Sequence, residues 1–167
     1  TNHTYNTSHL LDAGSQPDSM IVADNHQQDN FKNCSVNLNY RHQYDKNGHE
    51  LTADVDYIVY QTNNSQVFNN FDYIPDGTLI SQDQLTGALP SSIRIYTAKT
   101  DYTLPLKNGF KFSAGAKISF TKTDNIADYF YTINDITKPD YGKTNHFIYK
   151  ENINAAYINL NKEYKRL

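Results

Sequence analysis

The chain has 167 residues, with no Trp, one Cys and one Met but 14 Tyr and 8 Phe, and its hydrophobic share is 38%, below the roughly 45–50% of ordinary soluble domains. A net charge of -3 gives no electrostatic ground for nucleic-acid binding or a polybasic membrane footprint, and the lone Cys34 excludes an internal disulfide and a cysteine-based metal cluster. The richness in aromatic and β-branched residues argues against disorder outside loops. No run of about 18 apolar residues marks a transmembrane helix, whereas a barrel strand needs only about 10 residues of alternating polarity.

The first stretch, 1–33, is polar and reads as a long loop. It opens at Thr1 without an initiator Met or signal peptide, and the far end, "NKEYKRL", carries no terminating turn. Both ends read as cuts in a longer chain.

Period-2 alternation begins at Cys34–Tyr44. Val36, Leu38, Tyr40 and Tyr44 share a face with Cys34, while Asn37, Asn39, Arg41 and Gln43 lie opposite. "DKNG" follows, and Asn47-Gly48 suits a two-residue type I′ turn. Leu51–Gln61 alternates in the same way, with Leu51, Ala53, Val55, Tyr57 and Val59 against Thr52, Asp54 and Asp56. A two-residue turn sets Tyr44 opposite Leu51, Leu38 opposite Tyr57 and Arg41 opposite Asp54, an opposite-charge cross-strand pair. The region 34–61 is therefore expected to be a hairpin.

After a polar stretch at 62–92, read as a second long loop, a second hairpin is expected over 94–121. Its strands, Arg94–Leu106 and Phe110–Thr121, join at "KNG". Phe110, Phe112, Ala114, Ala116, Ile118 and Phe120 alternate with Lys111, Ser113, Gly115, Lys117 and Ser119. A three-residue loop with Gly109 in the left-handed conformation sets Leu104 opposite Phe112 and Ala98 opposite Ile118, at the cost of Lys99 opposite Lys117. Pro105 sits at the strand end, where a missing N–H matters least. A third polar stretch, 122–145, precedes a further strand over 146–164. There, Ala156, Ile158, Leu160 and Tyr164 compete with Ile153, Ala155 and Tyr157 for the apolar face.

Short turns alternating with long polar stretches match outer-membrane barrels, whose periplasmic turns are short and extracellular loops long. Tyr44, Phe110, Phe112 and Tyr164 would then form an aromatic girdle at the periplasmic rim. The expected class is all-β: antiparallel up-and-down hairpins, about five strands with long extracellular loops, forming 1–167 of a large transmembrane β-barrel.

The segments "CSVNLNYRHQYDKNGHELTADVDY", "KTDYTLPLKNGFKFSAGAKISF" and "ENINAAYINLNKEYKRL" resemble the barrel region of TonB-dependent receptors, especially the Bacteroidetes type. The resemblance covers roughly Lys32 to Leu167. It implies a plugged barrel of about 22 strands in the outer membrane of a Gram-negative bacterium, importing nutrients with energy from TonB. The implied partners are outer-membrane lipid, the remaining strands and plug, TonB and a surface lipoprotein lid. Nothing in the chain resembles the plug or the TonB box, so no energy-coupling residue carries over.

Candidate chemistry is sparse. His3, His9, His26, His42, His49 and His146 lack metal-ligand spacing and read as solvated loop residues, so no metal site is assigned. Asp54 and Asp56 beside Arg41 suit a lumenal charge ladder better than acid–base catalysis. Asp72–Gly77, "DYIPDG", reads as a turn rather than a Ca²⁺ loop. Gly115 reads as relief of strand crowding, and Cys34 as an inert small residue. No catalytic, cofactor or metal residue is expected, and the chain is expected not to be an enzyme. Tyr57, Tyr73, Tyr129, Tyr131 and Tyr141 are the one hint of ligand contact, by stacking on sugars or peptides, set against plain packing and girdle roles. The alternative is a soluble β-sandwich binding or adhesion module that buries the same apolar faces between two sheets.

Overall fold

In the computed structural model, which describes residues 1–163, alternation and turn chemistry produce a single sheet of seven strands. They are β1 (Asn2–Leu11), β2 (Pro17–Gln43), β3 (Glu50–Tyr73), β4 (Leu79–Pro105), β5 (Phe110–Ile133), β6 (Ile136–Pro139) and β7 (Asn145–Lys162). Sequence neighbours pair in order from β1 to β6, and β7 also pairs with β5. The architecture is the expected all-β, antiparallel, up-and-down arrangement. Among the described residues nothing pairs β1 with β6 or β7, so the sheet is not closed.

The chain divides into two units, each drawing on most of the strands. One comprises Thr1–Lys32, Gln61–Ser92 and Asp124–Phe147; the other comprises Asn33–Tyr60, Ile93–Thr123 and Ile148–Leu167.

The second unit holds the turns at "DKNG" and "KNG". At "KNG" the expected geometry forms: the Leu106 N–H donates to the Phe110 carbonyl at 2.7 Å, and Gly109 has a φ of 76°. Asn108 is left-handed as well, with a φ of 60°. The Thr97 and Ser119 hydroxyls meet at 3.2 Å in the same register.

At "DKNG" the register departs from expectation. The Tyr44 N–H donates to the His49 carbonyl at 2.8 Å, so the pairing is shifted by two residues. Asp45 is the cause: its carboxylate accepts from the N–H groups of Asn47 at 2.8 Å and His49 at 3.2 Å. Gly48, with a φ of 91°, supplies the left-handed residue. The loop is thus longer than a type I′ turn. An even shift keeps every side chain on its expected face. It does break the expected Arg41–Asp54 pair: Arg41 instead binds Glu50, with Nη2 at 2.7 Å and Nε at 3.1 Å from Oε2.

In the first unit the stretches 1–33, 62–92 and 122–145, read as long loops, are mostly strand. That reading is corrected, and the count rises from about five strands to seven. The physical reason is that their apolar residues, such as Met20, Ile21 and Val22 or Leu79 and Ile80, fall in short runs on both faces among polar ones, so hydrophobic alternation does not mark them. Their ladders carry side-chain amide and carboxylate bonds instead. Asn70 donates to Asp83 at 3.0 Å, Gln84 to Asn69 at 2.7 Å, Asn64 to Asp29, and Ser91 to Asn125.

The true turns in this unit are short. Ile74–Thr78 closes with the Ile74 N–H on the Thr78 carbonyl at 3.0 Å. Asn134 and Asp135 both take positive φ, 51° and 63°, which makes a two-residue type I′ turn between Ile133 and Ile136. β6 and β7 flank an excursion pinned to β5: the Asp140 N–H donates to the Tyr129 carbonyl at 2.8 Å, and the Tyr129 N–H donates to the Thr144 hydroxyl at 3.0 Å.

A packed core is missing from this sheet. Among the described residues only Val22 and Gly87 are buried. The β-sandwich reading needs a second sheet over Val36, Val55, Ala116 and Ile118, and the described residues form one sheet only.

Candidate functional site

The second unit is a wall with two chemically distinct faces. Alternation sends odd residues of β2, β4, β5 and β7, and even residues of β3, to one side. That side is a ladder of polar bonds. The Asn37 amide donates to Asp56 at 2.5 Å, Asn39 donates to Asn37, and Arg41 binds Glu50. Lys99 binds Asp101 at 2.6 Å, and the Tyr157 hydroxyl donates to the same carboxylate at 2.7 Å. Tyr157 therefore lies on the polar side, which leaves Ala156, Ile158 and Leu160 for the apolar side; Tyr164 lies outside the described residues. The expected opposition of Lys99 and Lys117 is relieved because Lys99 turns to Asp101.

The opposite face is apolar and exposed. Leu38 is 69% exposed, Val55 52%, Ile118 57% and Ile158 79%. Exposure this large, on one face and without a core, calls for an apolar medium or further protein to cover it. Aromatic rows bound the face at both ends. Away from the short turns, Tyr57 and Tyr96 ring centroids are 5.0 Å apart, and Tyr96 and Phe120 are 6.3 Å apart. Near the turns, His49 packs on Tyr44 at 4.3 Å and meets Tyr102, with Nε2 and the hydroxyl at 2.8 Å. Lys162 lies over the Phe110 ring, 4.9 Å from its centroid.

Phe110 and Phe120, ten residues apart on β5, are separated by about 34 Å of strand. Tilted by about 40°, such a strand rises about 25 Å, the height of the apolar band of a transmembrane barrel. No helix among the described residues is long and apolar enough to cross a membrane, so any crossing is made by strands.

A family model for the outer membrane protein β-barrel family matches residues 42–167. The chain belongs to the outer membrane protein β-barrel family. Membership of this barrel family places the protein in the outer membrane. No curated protein matches the chain.

The tyrosines singled out in the sequence do not converge on one site. Tyr57 belongs to the aromatic row, and Tyr129 of this barrel-family chain packs on Gly87. Tyr131 lines an open groove of mixed polarity with Asn70, Asp83, Leu85 and Lys143. Tyr73 ends β3, and Tyr141 stands 83% exposed in the excursion between β6 and β7. Asp56, singled out with Asp54, accepts from the Asn37 amide on the polar ladder. Cys34 is free and exposed.

Two histidines do come together. His3 and His26 are register partners on β1 and β2, with rings stacked at 4.1 Å. Asp24, two residues before His26 and hence on its face, receives a 2.5 Å hydrogen bond from His3. That bond is the main cause holding the Asp24 carboxyl below its ordinary range. The sequence signal was the alternation Asp24-x-His26, which is visible only if the stretch is read as strand.

Proposed function

We propose that this chain is wall and vestibule of a TonB-dependent outer-membrane receptor of a Gram-negative bacterium, a nutrient importer that makes and breaks no covalent bonds in its cargo. The observation that carries the reading is strand length. β2 and β4 have 27 residues each, while about 9–11 residues cross a bilayer. The surplus, rich in polar residues and stitched by Asn, Gln and Asp side chains, suits the walls of a large, water-filled entrance. The apolar face meets outer-membrane lipid. The polar face meets water or a plug, and the unpaired strand edges require the remaining strands of the parent barrel. A surface lipoprotein lid over the vestibule and TonB beneath the plug complete the partners.

The test uses the full-length protein that carries this chain. Reconstituted in vesicles, it should capture the periplasmic domain of TonB, hold back ions in the resting state, and in cells import its cargo only while the proton gradient stands. A steady open conductance without TonB capture would identify a passive pore and overturn the receptor reading.

A further inference from the structure

We propose that His3, Asp24 and His26 form a binding site for a divalent transition ion of the Zn²⁺ class on the β1–β2 hairpin. The site stands on geometry independent of the transport reading. The β1–β2 ladder is regular from Asn2↔Gln27 to Leu10↔Ser19, so the backbone presents the three side chains from a fixed frame. His3 Nε2 lies 2.5 Å and His26 Nε2 3.4 Å from the same oxygen, Oδ1 of Asp24. The ligand atoms of all three residues fall within 4.8 Å of one another. Ligands about 2 Å from a tetrahedral zinc are about 3.3 Å apart. The His26–Asp24 distance already meets that spacing, and the His3–Asp24 contact reaches it by opening less than an ångström. Rotation of exposed imidazoles about their terminal torsions permits this movement without disturbing the ladder.

The donor chemistry selects the ion. Two imidazole nitrogens and one carboxylate oxygen suit Zn²⁺, Ni²⁺ or Cu²⁺, whereas Ca²⁺ and Mg²⁺ need mostly oxygen ligands. Three protein ligands leave a tetrahedral ion one open position, for water or for a donor carried by a second molecule.

Charge distribution supplies a second, separate argument. Residues 1–31 contain Asp12, Asp18, Asp24 and Asp29 but not one Lys or Arg, although the whole chain has 15. The hairpin is therefore a local anionic surface on a chain that is otherwise close to neutral, and it concentrates cations.

The experiment is a titration of Zn²⁺ into the folded full-length protein in detergent, compared with Asp24→Asn, His3→Gln and His26→Gln, with Co²⁺ absorption as a reporter of tetrahedral nitrogen ligation. We expect each variant to lose one Zn²⁺ equivalent or to weaken it by at least about tenfold, and Asp24→Glu to retain it. His9→Gln, on the same hairpin but outside the cluster, should bind as wild type. Far-UV circular dichroism of every variant checks that the sheet persists. Unchanged stoichiometry and affinity in all three variants, or displacement of Zn²⁺ by millimolar Ca²⁺, would overturn the proposal.

Discussion

The Tyr157 side chain crosses over Gly115 and its hydroxyl donates to Asp101 at 2.7 Å, so β7 reaches β4 across the strand that separates them. A Cβ at Gly115 would collide with the Tyr157 ring and the Asp101 carboxylate, and would lie 2.9 Å from the Thr100 carbonyl. The glycine leaves the space that the ring fills, an aromatic cover over a strand glycine. Gly87 and Tyr129 repeat the device in the other unit, where a Cβ would stand 2.7 Å from the ring. Gly115→Ala should therefore cost about 1–3 kcal/mol through overpacking, read by urea unfolding of the full-length protein in detergent. Tyr157→Phe keeps the ring and loses the hydroxyl bond, so its loss should be smaller. An alanine variant as stable as wild type would show that the ring does not occupy that space.

The two faces should respond oppositely to charge. Ala116→Arg puts a guanidinium on the apolar face, midway between Phe110 and Phe120, where a cation near the bilayer midplane costs about 2–4 kcal/mol. Ser113→Arg, on the polar side of β5, should be nearly neutral. Folding yield into lipid vesicles compares them, and equal yields would contradict the assignment of faces.

The Asp45 loop makes a third prediction. Gly48, with a φ of 91°, is strained by any Cβ, so Gly48→Ala should destabilise by about 1–2 kcal/mol. Asn47→Gly should change little, because Asp45 rather than a left-handed Asn47 closes the loop. A large gain from Asn47→Gly would favour the type I′ turn that the sequence suggested.

Asp24 ties the β1–β2 hairpin to pH. Its folded carboxyl sits below the ordinary value of 3.8, first because of the His3 hydrogen bond and further because of the His26 and His3 charges, against a partial upward push from desolvation. A lowered carboxylate pKa stabilises the fold fully above the unfolded value, and that contribution disappears as pH falls through the lowered one. Carbon-13 titration should place the Asp24 midpoint below 3.8 in wild type and move it upward in His3→Gln. An unmoved midpoint would refute the contact.

Much of the second unit was legible because an apolar face opposite a polar one imposes a period of two. Phe110 to Phe120 alternates with Lys111 to Ser119, and "KNG" has one loop length that keeps the faces aligned. The register at "DKNG" was missed by two residues because the competing hydrogen bonds of Asp45 are not part of the Asn-Gly signal. The strands of the first unit were invisible to hydrophobic pattern: "QTNNSQVFNN" has no apolar face, and its order comes from cross-strand amides that only the register reveals. For the same reason His3 and His26 read as scattered and Asp24 went unnoticed, since their proximity exists only once Thr1–Lys32 is known to be a hairpin.

The two-faced wall is tested most directly by spin labels placed singly at 116, 117, 118 and 119 of the full-length protein in lipid vesicles. The account predicts strict alternation. Labels at 116 and 118 should be relaxed by membrane-dissolved oxygen, and labels at 117 and 119 by a water-soluble nickel chelate. Four labels with the same accessibility, or an alternation of opposite phase, would contradict it.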